Sequence, residues 1–474
     1  MASTFFGFSI ARRGMSAHQT ALNVTAHNIA NASTVGFSRQ QAVFQATTPA
    51  GSATGNRGAG AGMLGTGVHI AEIRRVRDGF LDFQLRQQLS KQSNWQERNE
   101  ALATVEMILM EPSDTGLSNV FERFWGSWQE LSKNPTSGAV RAAVVETSAT
   151  LASSLNSLAA QSEVILGDLN VKAEIAVVDI NALSSQLAVL NEQIVTNLGA
   201  GLNPNDLMDR RDVLLDDLAR IVDFRALEQP NGAINVAVGG RHLVQEGRSV
   251  ALTSGLVDGE MVASWPEGER LAISDGKLAG ITSARSFIAN EFLGRLNTLA
   301  VALRDSVNTV HALGQPISTA VPPVGADWKS FFVTHTTATG QEARHIRVNP
   351  AIVANHGLLR AAGPAPAGLA DGSNALAIAR LRNAIIPSGT TSLEGLFAGM
   401  VTDLGVESQQ AERIMLNQES LTNQLQNRRE EAAGVSIDEE LAYMVQFQHG
   451  YQASARLLAT MDEILQTIIN LGRQ

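Results

Sequence analysis

"GVSIDEELAYMVQFQHGYQASARLLATMDEILQTIINLGRQ" (434–474) holds no proline and repeats its apolar residues at alternating intervals of three and four. Met444, Phe447, Tyr451, Ser454, Leu458, Met461, Leu465 and Ile468 fall on one line, and only Ser454 among them is polar. Such spacing keeps one face of a helix turned toward a partner, which is the seam of a coiled coil. Ser436 is placed as an N-cap with Glu439 three residues on, the pattern of a capping box. A single amphipathic helix usually packs on its own domain. Here a second seam stands at the other end of the chain. Within residues 3–31, Phe8, Ala11, Met15, His18, Leu22, Thr25 and Ile29 repeat with the same spacing, weakened by His18 and Thr25. Two matching seams point to pairing between the chain ends.

The 474 residues between and around these seams suggest about two to four domains. Helix-favouring stretches run over 79–111, 116–133, 138–200, 205–222, 283–313 and 392–431. The part at 155–198 is nearly free of helix breakers, as a long bundle helix requires. Residues 224–275 alternate apolar and polar around glycine-rich turns, with Asn231-Gly232 as a hairpin turn. Residues 314–372 are rich in Pro, Gly and Thr, with "SFFVTHT" and "HIRVNP" as short strand candidates. The predicted fold is mainly α with inserted β. Segments 1–38 and 434–474 form a terminal coiled coil. Segments 39–223, 276–313 and 373–433 form a helical bundle built from both chain halves. Segments 224–275 and 314–372 form β-rich outer inserts.

Composition excludes several functions. A net charge of -10, with no basic run longer than "IRRVR" (73–77), argues against nucleic acid as a partner. No cysteine is present, so disulfides, thiolate metal sites and cysteine nucleophiles are excluded. No stretch reaches about 18 apolar residues, so membrane insertion is not expected. The Arg12-Arg13 pair follows the first apolar patch, so no cleavable export signal is expected. "GAGMLG" (60–65) matches a dinucleotide fingerprint but precedes a strand pattern, "GVHIAEIRRV", and reads as a loop. Asp212 and Asp216 share a helix face; with Arg210, Arg211 and Arg220 nearby, this reads as a solvated surface. His311, His335, His345 and His356 lack the spacing of helical metal ligands. No catalytic, metal or cofactor residue is predicted. Tyr443 and Tyr451 both fall on the C-terminal helix, as core or as subunit contacts.

"NIANASTVGFSRQ" (28–40) and the quoted C-terminal stretch together resemble the bacterial flagellar axial proteins, most of all the hook-associated branch that joins hook to filament. "NPNDLMDRRDVLLDDLA", "GAINVAVGGRHLV" and "GKLAGITSAR" extend the resemblance through the middle. His27-Asn28 stands where the family often has Asn-Asn, and Val35-Gly36-Phe37 where it often has Pro-Gly-Tyr. The resemblance implies a structural subunit, not an enzyme, exported unfolded by a type III channel and located outside the cell at the hook–filament junction. It implies termini that are disordered in the monomer and fold together in the axial tube. It implies a homo-oligomer flanked by hook protein and by a second hook-associated junction protein, with an export chaperone beforehand. The residues predicted to carry self-assembly are Phe8, Met15, Leu22, Ile29, Met444, Phe447, Tyr451, Leu458, Met461, Leu465 and Ile468. The competing readings are a hook or distal-rod subunit, an enzyme borne on the flagellum with a hydrolase-like insert, and an intracellular coiled-coil scaffold.

Overall fold

The structure, a computed structural model, describes residues 5–48, 65–111, 113, 116–318, 328–334, 340–365, 368–385 and 391–471. Helix α1 (Phe5–Ala30) leads into a hairpin of β1 (Gln40–Ala46) and β2 (Val68–Arg75). Then come α2 (Gly79–Leu109), α3 (Leu117–Lys133), α4 (Gly138–Gly199) and α5 (Asn205–Ile221). Side-chain caps explain two of these starts. The Asp78 carboxylate accepts from the N–H groups of Phe80 and Leu81, and the Ser137 hydroxyl accepts from that of Val140. Strand β2 was anticipated from "GVHIAEIRRV". Strand β1 was not, because its alternation is weak and it gains order by pairing with β2.

Helix α4 is 62 residues long, about 90 Å. One window of it is long and apolar enough to cross a bilayer, contrary to the expectation from the sequence, yet residues buried every three or four positions place it in the core along its whole length. Strands β3 (Arg225–Glu228), β4 (Ile234–Val238), β5 (Arg241–Gln245) and β6 (Arg248–Ser249) form an antiparallel sheet in chain order. Strands β7 (Thr253–Val257) and β8 (Glu260–Ser264) form a separate hairpin. The β3–β4 turn is the expected one, with Gly232 at φ +86. Three asparagines of α4 hold this β material. Asn191 donates to the carbonyls of Ile234 and Glu246, Asn181 to that of Leu252, and Asn170 to that of Gly259. Each also accepts from a backbone N–H of the same hairpins, so otherwise orphaned backbone groups are satisfied by one helix.

Helix α6 (Lys277–Ser286), a π-helical turn (Phe287–Phe292) and α7 (Leu293–Leu313) follow one another without a break, six residues earlier than the predicted start at 283. Both strand candidates of the segment 314–372 are present, as the two-residue strands β9 (Phe332–Val333) and β10 (Arg347–Val348), which pair antiparallel. Among the described residues, however, the segment is not β-rich, since it also carries α8 (Glu342–His345) and α9 (Pro350–Ala354), and it does not lie outside the body. Its Phe331, Phe332, Ile346 and Leu359 are fully buried in the same core as the helices. Phe331 meets Trp128 edge-on at 5.1 Å between ring centroids, and Phe332 meets Phe124 at 6.0 Å. Buried Arg141 of α4 donates to the carbonyls of Pro135, His356 and Leu359. Burial without a carboxylate partner lowers its guanidinium to about 10. The neutral His311 ring ties the segment to α7: Nε2 accepts from the Arg360 N–H, so Nδ1 carries the proton donated to the Lys329 carbonyl. These apolar residues fall in short runs among Pro, Gly and Thr, too short for a periodicity that would betray their burial. The chain ends with α10 (Ser373–Arg380), α11 (Leu393–Ala433) and α12 (Ile437–Leu471).

Phe331→Ala is expected to lower unfolding free energy by about 3–5 kcal/mol, as for other large-to-small changes in a packed core. Urea denaturation of the purified protein checks this. A loss near zero would place the segment outside the cooperative core.

Candidate assembly interface

The predicted pairing of the two chain ends is present, and it is antiparallel. Gly7 of α1 lies against Met461 of α12, Gly14 against Ser454, His18 against Gly450, and Asn28 against Glu440. The approach is close because glycine stands on both helices. A Cβ on Gly7 would sit 2.7 Å from Met461 Cε, one on Gly14 3.0 Å from Ser454 Oγ, and one on Gly450 2.5 Å from His18 Cε1. On α12, Met444, Phe447, Tyr451, Leu458, Met461 and Leu465 are half-buried along one line, whereas Ile468 is 48% exposed.

On α1 small residues beside the predicted line stand at the contact. Gly7, Gly14 and Asn28 touch α12, each one position before Phe8, Met15 and Ile29. Phe8 is 37% exposed, while Met15, Leu22 and Ile29 are half-buried, as the seam residues of α12 are. A tight helix crossing selects small side chains, and hydrophobic periodicity does not register size. His18 keeps its predicted seam position. Its ring lies 5.5 Å from that of Phe44 and 6.3 Å from that of Phe447, and burial lowers its pKa.

The turn after α1 locks the pair. Asn28 Nδ2 donates to the Gln40 carbonyl (2.8 Å) and to Glu440 (3.0 Å), while its Oδ1 accepts from the Gln40 N–H (2.9 Å). Arg39 Nε donates to Glu440 at 2.7 Å, and the Arg39 N–H donates to the Ala433 carbonyl. Gly36 has φ +80 and its Cα faces the Val213 side chain, so both its backbone conformation and its space require glycine. The predicted capping box is incomplete. The Glu439 N–H stands 3.5 Å from Ser436 Oγ, and Glu439 itself faces Arg39.

Beneath this turn lies a network the sequence reading had placed in solvent. Asp209, Asp212 and Asp216 of α5 are buried. Arg75 donates to Asp209 (2.9 Å) and Asp212 (2.7 Å), Arg86 to Asp212 (3.0 Å) and Asp216 (2.8 Å), and Arg429 to Asp216. Arg77 pairs with Asp82 on α2 (2.6 Å) and donates to the Ser38 hydroxyl. The Ser38 N–H donates to Asp209. Burial works to raise the Asp212 carboxyl, but Arg77, Arg75 and Arg86 together outweigh it and hold the group down to about 2. The i,i+4 carboxylates were legible in the sequence, but the arginines that bridge them lie 126 to 213 residues away and share no local pattern with them. Arg211 is also buried, donating to the Gly232 carbonyl, while Arg210 and Arg220 are exposed. Among the described residues no group of His, Asp or Glu could hold a metal ion. "GAGMLG" and His335 lie outside the described residues.

Asp212→Asn leaves arginines buried beside a lost charge, and is expected to cost about 3–5 kcal/mol. The folded pKa of about 2 lies below the ordinary 3.8, so the carboxylate stabilises above 3.8 and its contribution fades as pH falls toward 2. The variant is therefore expected to lose stability less steeply over that interval. Denaturation at a series of pH values measures both effects.

Comparison with known proteins matches these elements. The family model described as "Flagellar hook-associated protein FlgK helical domain" covers residues 102–321. "Flagella basal body rod protein" covers 8–37, and "Flagellar basal body rod FlgEFG protein C-terminal" covers 426–471. The last two contain the seam-forming parts of α1 and α12. Flagellar hook-associated protein 1 of Bacillus subtilis (strain 168) is 32% identical over 504 residues, spanning 99% of both chains. The protein of the same name from Escherichia coli (strain K12) is 25% identical, spanning 97% of this chain and 98% of its own. The flagellar hook junction protein FlgK from Burkholderia pseudomallei superposes with a TM-score of 0.63 over 74% of this chain and all of its own; at 17% identity that likeness speaks for the fold alone. With 32% sequence identity over 99% of both chains to a relative of that name, the chain belongs to the flagellar hook-associated protein 1 family.

Proposed function

We propose that the chain is the adaptor joining hook to filament, with hook protein on one side and a second hook-associated junction protein on the other. On this reading it is exported to the cell exterior, guided beforehand by a chaperone, and forms a homo-oligomer in the axial tube. Its ends order fully when the subunit joins the tube. The observation that carries the reading is the terminal pair itself: residues more than 400 positions apart, Arg39 and Glu440, meet at 2.7 Å. Yet no residue of α1 or α12 belongs to the main hydrophobic core among the described residues. The pair is held through its turn and against the β1–β2 hairpin, where Ile10 meets Gly67 and His18 meets Phe44, and it leaves Phe8, Tyr443, Leu457, Ile464 and Ile468 exposed. A surface of this kind suits coupled folding and binding. A hook or distal-rod subunit is less well supported than a junction subunit, since the full-length relatives are hook-associated proteins. A hydrolase reading has no support from these structural relatives.

Clean deletion is expected to leave cells with hooks, without filaments, and with flagellin lost to the medium. Electron microscopy of the cells decides the matter; normal filaments would reject the junction role.

The terminal pair has its own test. Met461 is half-buried against Gly7, so Met461→Asp sets a carboxylate into the seam. The purified variant is expected to keep its melting temperature and to be exported, but not to join the hook. Calorimetry beside a secretion and motility assay reads all three. A melting temperature lowered by many degrees would assign the termini to the cooperatively folded body.

A further inference from the structure

Helix α4 turns a line of apolar side chains outward. Val164, Val171, Ile175, Val178, Ala182 and Val189 recur at intervals of three, four or seven, and all are exposed. The five branched ones are 51–63% exposed. Leu169, Ala173, Ile180 and Leu187, on the opposite side of the helix, are buried. Branched side chains are poor helix formers, and in solvent they gain no packing in return. Nothing in the subunit's own fold accounts for five of them in one line. A single exposed valine is ordinary, but a contiguous apolar strip marks an interaction site. Val164 and Val189 stand about 38 Å apart along the axis, and the spacing between them is that of a seam that takes a second helix.

Charge selects the occupant. Asp168, Glu174 and Asp179 border the strip, exposed and in no ion pair among the described residues. Glu163 stands at its edge too, paired with Arg344. The nearby cations are engaged. Lys172 lies between Glu97 and Glu100 of α2, and Arg285 donates to Asn170 and to the Gly259 carbonyl. Towards its C-terminal end the strip runs into the groove under the α1 turn, where Val189 and Val35 share the lining with both Asp206 and Arg210, so charge selects nothing there. The part from Val164 to Ala182 is acidic. We infer that this part receives an amphipathic helix of a different protein, with apolar residues at the same spacing and Lys or Arg on either side of them. A second copy of this chain does not fit. Pairing α4 with α4 sets three carboxylates against three. The exposed helices α2, α11 and α12 carry more carboxylates than cations. Helix α1 has no acidic residue, but it is taken up by α12 and the β1–β2 hairpin. The inference does not rest on the junction role.

An amino acid with a photoreactive benzophenone side chain replaces Ile175, or in a second strain Val164, in the full chain expressed in place of the native protein, and the cells are irradiated. A covalent adduct with a different protein is expected. Mass spectrometry of the joined peptide is expected to read apolar residues at three- and four-residue spacing flanked by Lys or Arg. An adduct with another copy of this chain, or with a peptide lacking those cations, overturns the inference and leaves the junction role standing. Absence of an adduct from both positions also overturns it. Two pairs of substitutions then separate apolar contact from charge. Val171→Ser with Val178→Ser keeps every charge, and Asp168→Lys with Asp179→Lys keeps every apolar residue. All four positions are exposed, so the purified variants are expected to melt as the native protein does. Each pair is expected to cut the adduct at Ile175 several-fold. An undiminished adduct from the serine pair shows that the strip is not the contact, and one from the lysine pair that charge does not select the partner; either overturns the proposal.

Discussion

The arginine–aspartate network under the α1 turn is the constraint on which the arrangement of the chain depends. Asp209, Asp212 and Asp216 stand on one face of α5, and the cations reach them from β2, from the strand–helix connection, from α2 and from α11. Each charge removed from water costs several kcal/mol unless it is paired, so the network has low energy only when all of these elements are in place. A hydrophobic cluster of similar size would tolerate sliding. Paired, hydrogen-bonded charges do not, because a shifted helix leaves a buried charge alone. The network thereby sets the direction in which the α1 turn leaves the bundle, through the Ser38 bonds to Asp209 and Arg77.

The terminal pair follows from that direction. Asn28 and Arg39 both reach Glu440, so the first turn of α12 is held where the α1 turn ends. From there the two helices run back along each other with glycine against glycine-sized gaps. Close backbone approach gives good dispersion contact, but neither helix joins the main hydrophobic core among the described residues. The large side chains of α1 are left on the flanks. The pair is thus well specified in geometry but set apart from that core. That combination suits an element completed by neighbours.

At the other end of the body, α4 organises what periodicity does not. Its asparagines at 170, 181 and 191 recur about every three turns and satisfy the backbones of successive hairpins. Its Arg141 does the same for the loop at 356–359. The β material is attached through polar bonds to one long helix, with apolar contact beneath. The segment 314–372 instead enters the aromatic core around Trp128 and cannot be treated as an appendage.

The sequence by itself determined the long helices, most of their limits to within a couple of residues, the α12 seam, the Asn231-Gly232 hairpin and, through two terminal motifs, the family, but not the short helices α8, α9 and α10. These are local properties: spacing, caps, turn residues and short patterns whose physical causes lie within about a dozen neighbouring positions. Only the tertiary structure decided which side chains meet. Asp212 looked solvated because its arginines are more than a hundred residues away, and the charge alone does not reveal a buried pair. Gly7 and Gly14 went unmarked as contact positions because apolar spacing is blind to the lack of a side chain that lets the helices touch. Phe331 looked like part of a short strand in an outer insert because nothing in its local pattern shows which core it enters. In each case the deciding quantity was the distance between residues remote in sequence, which exists only after folding.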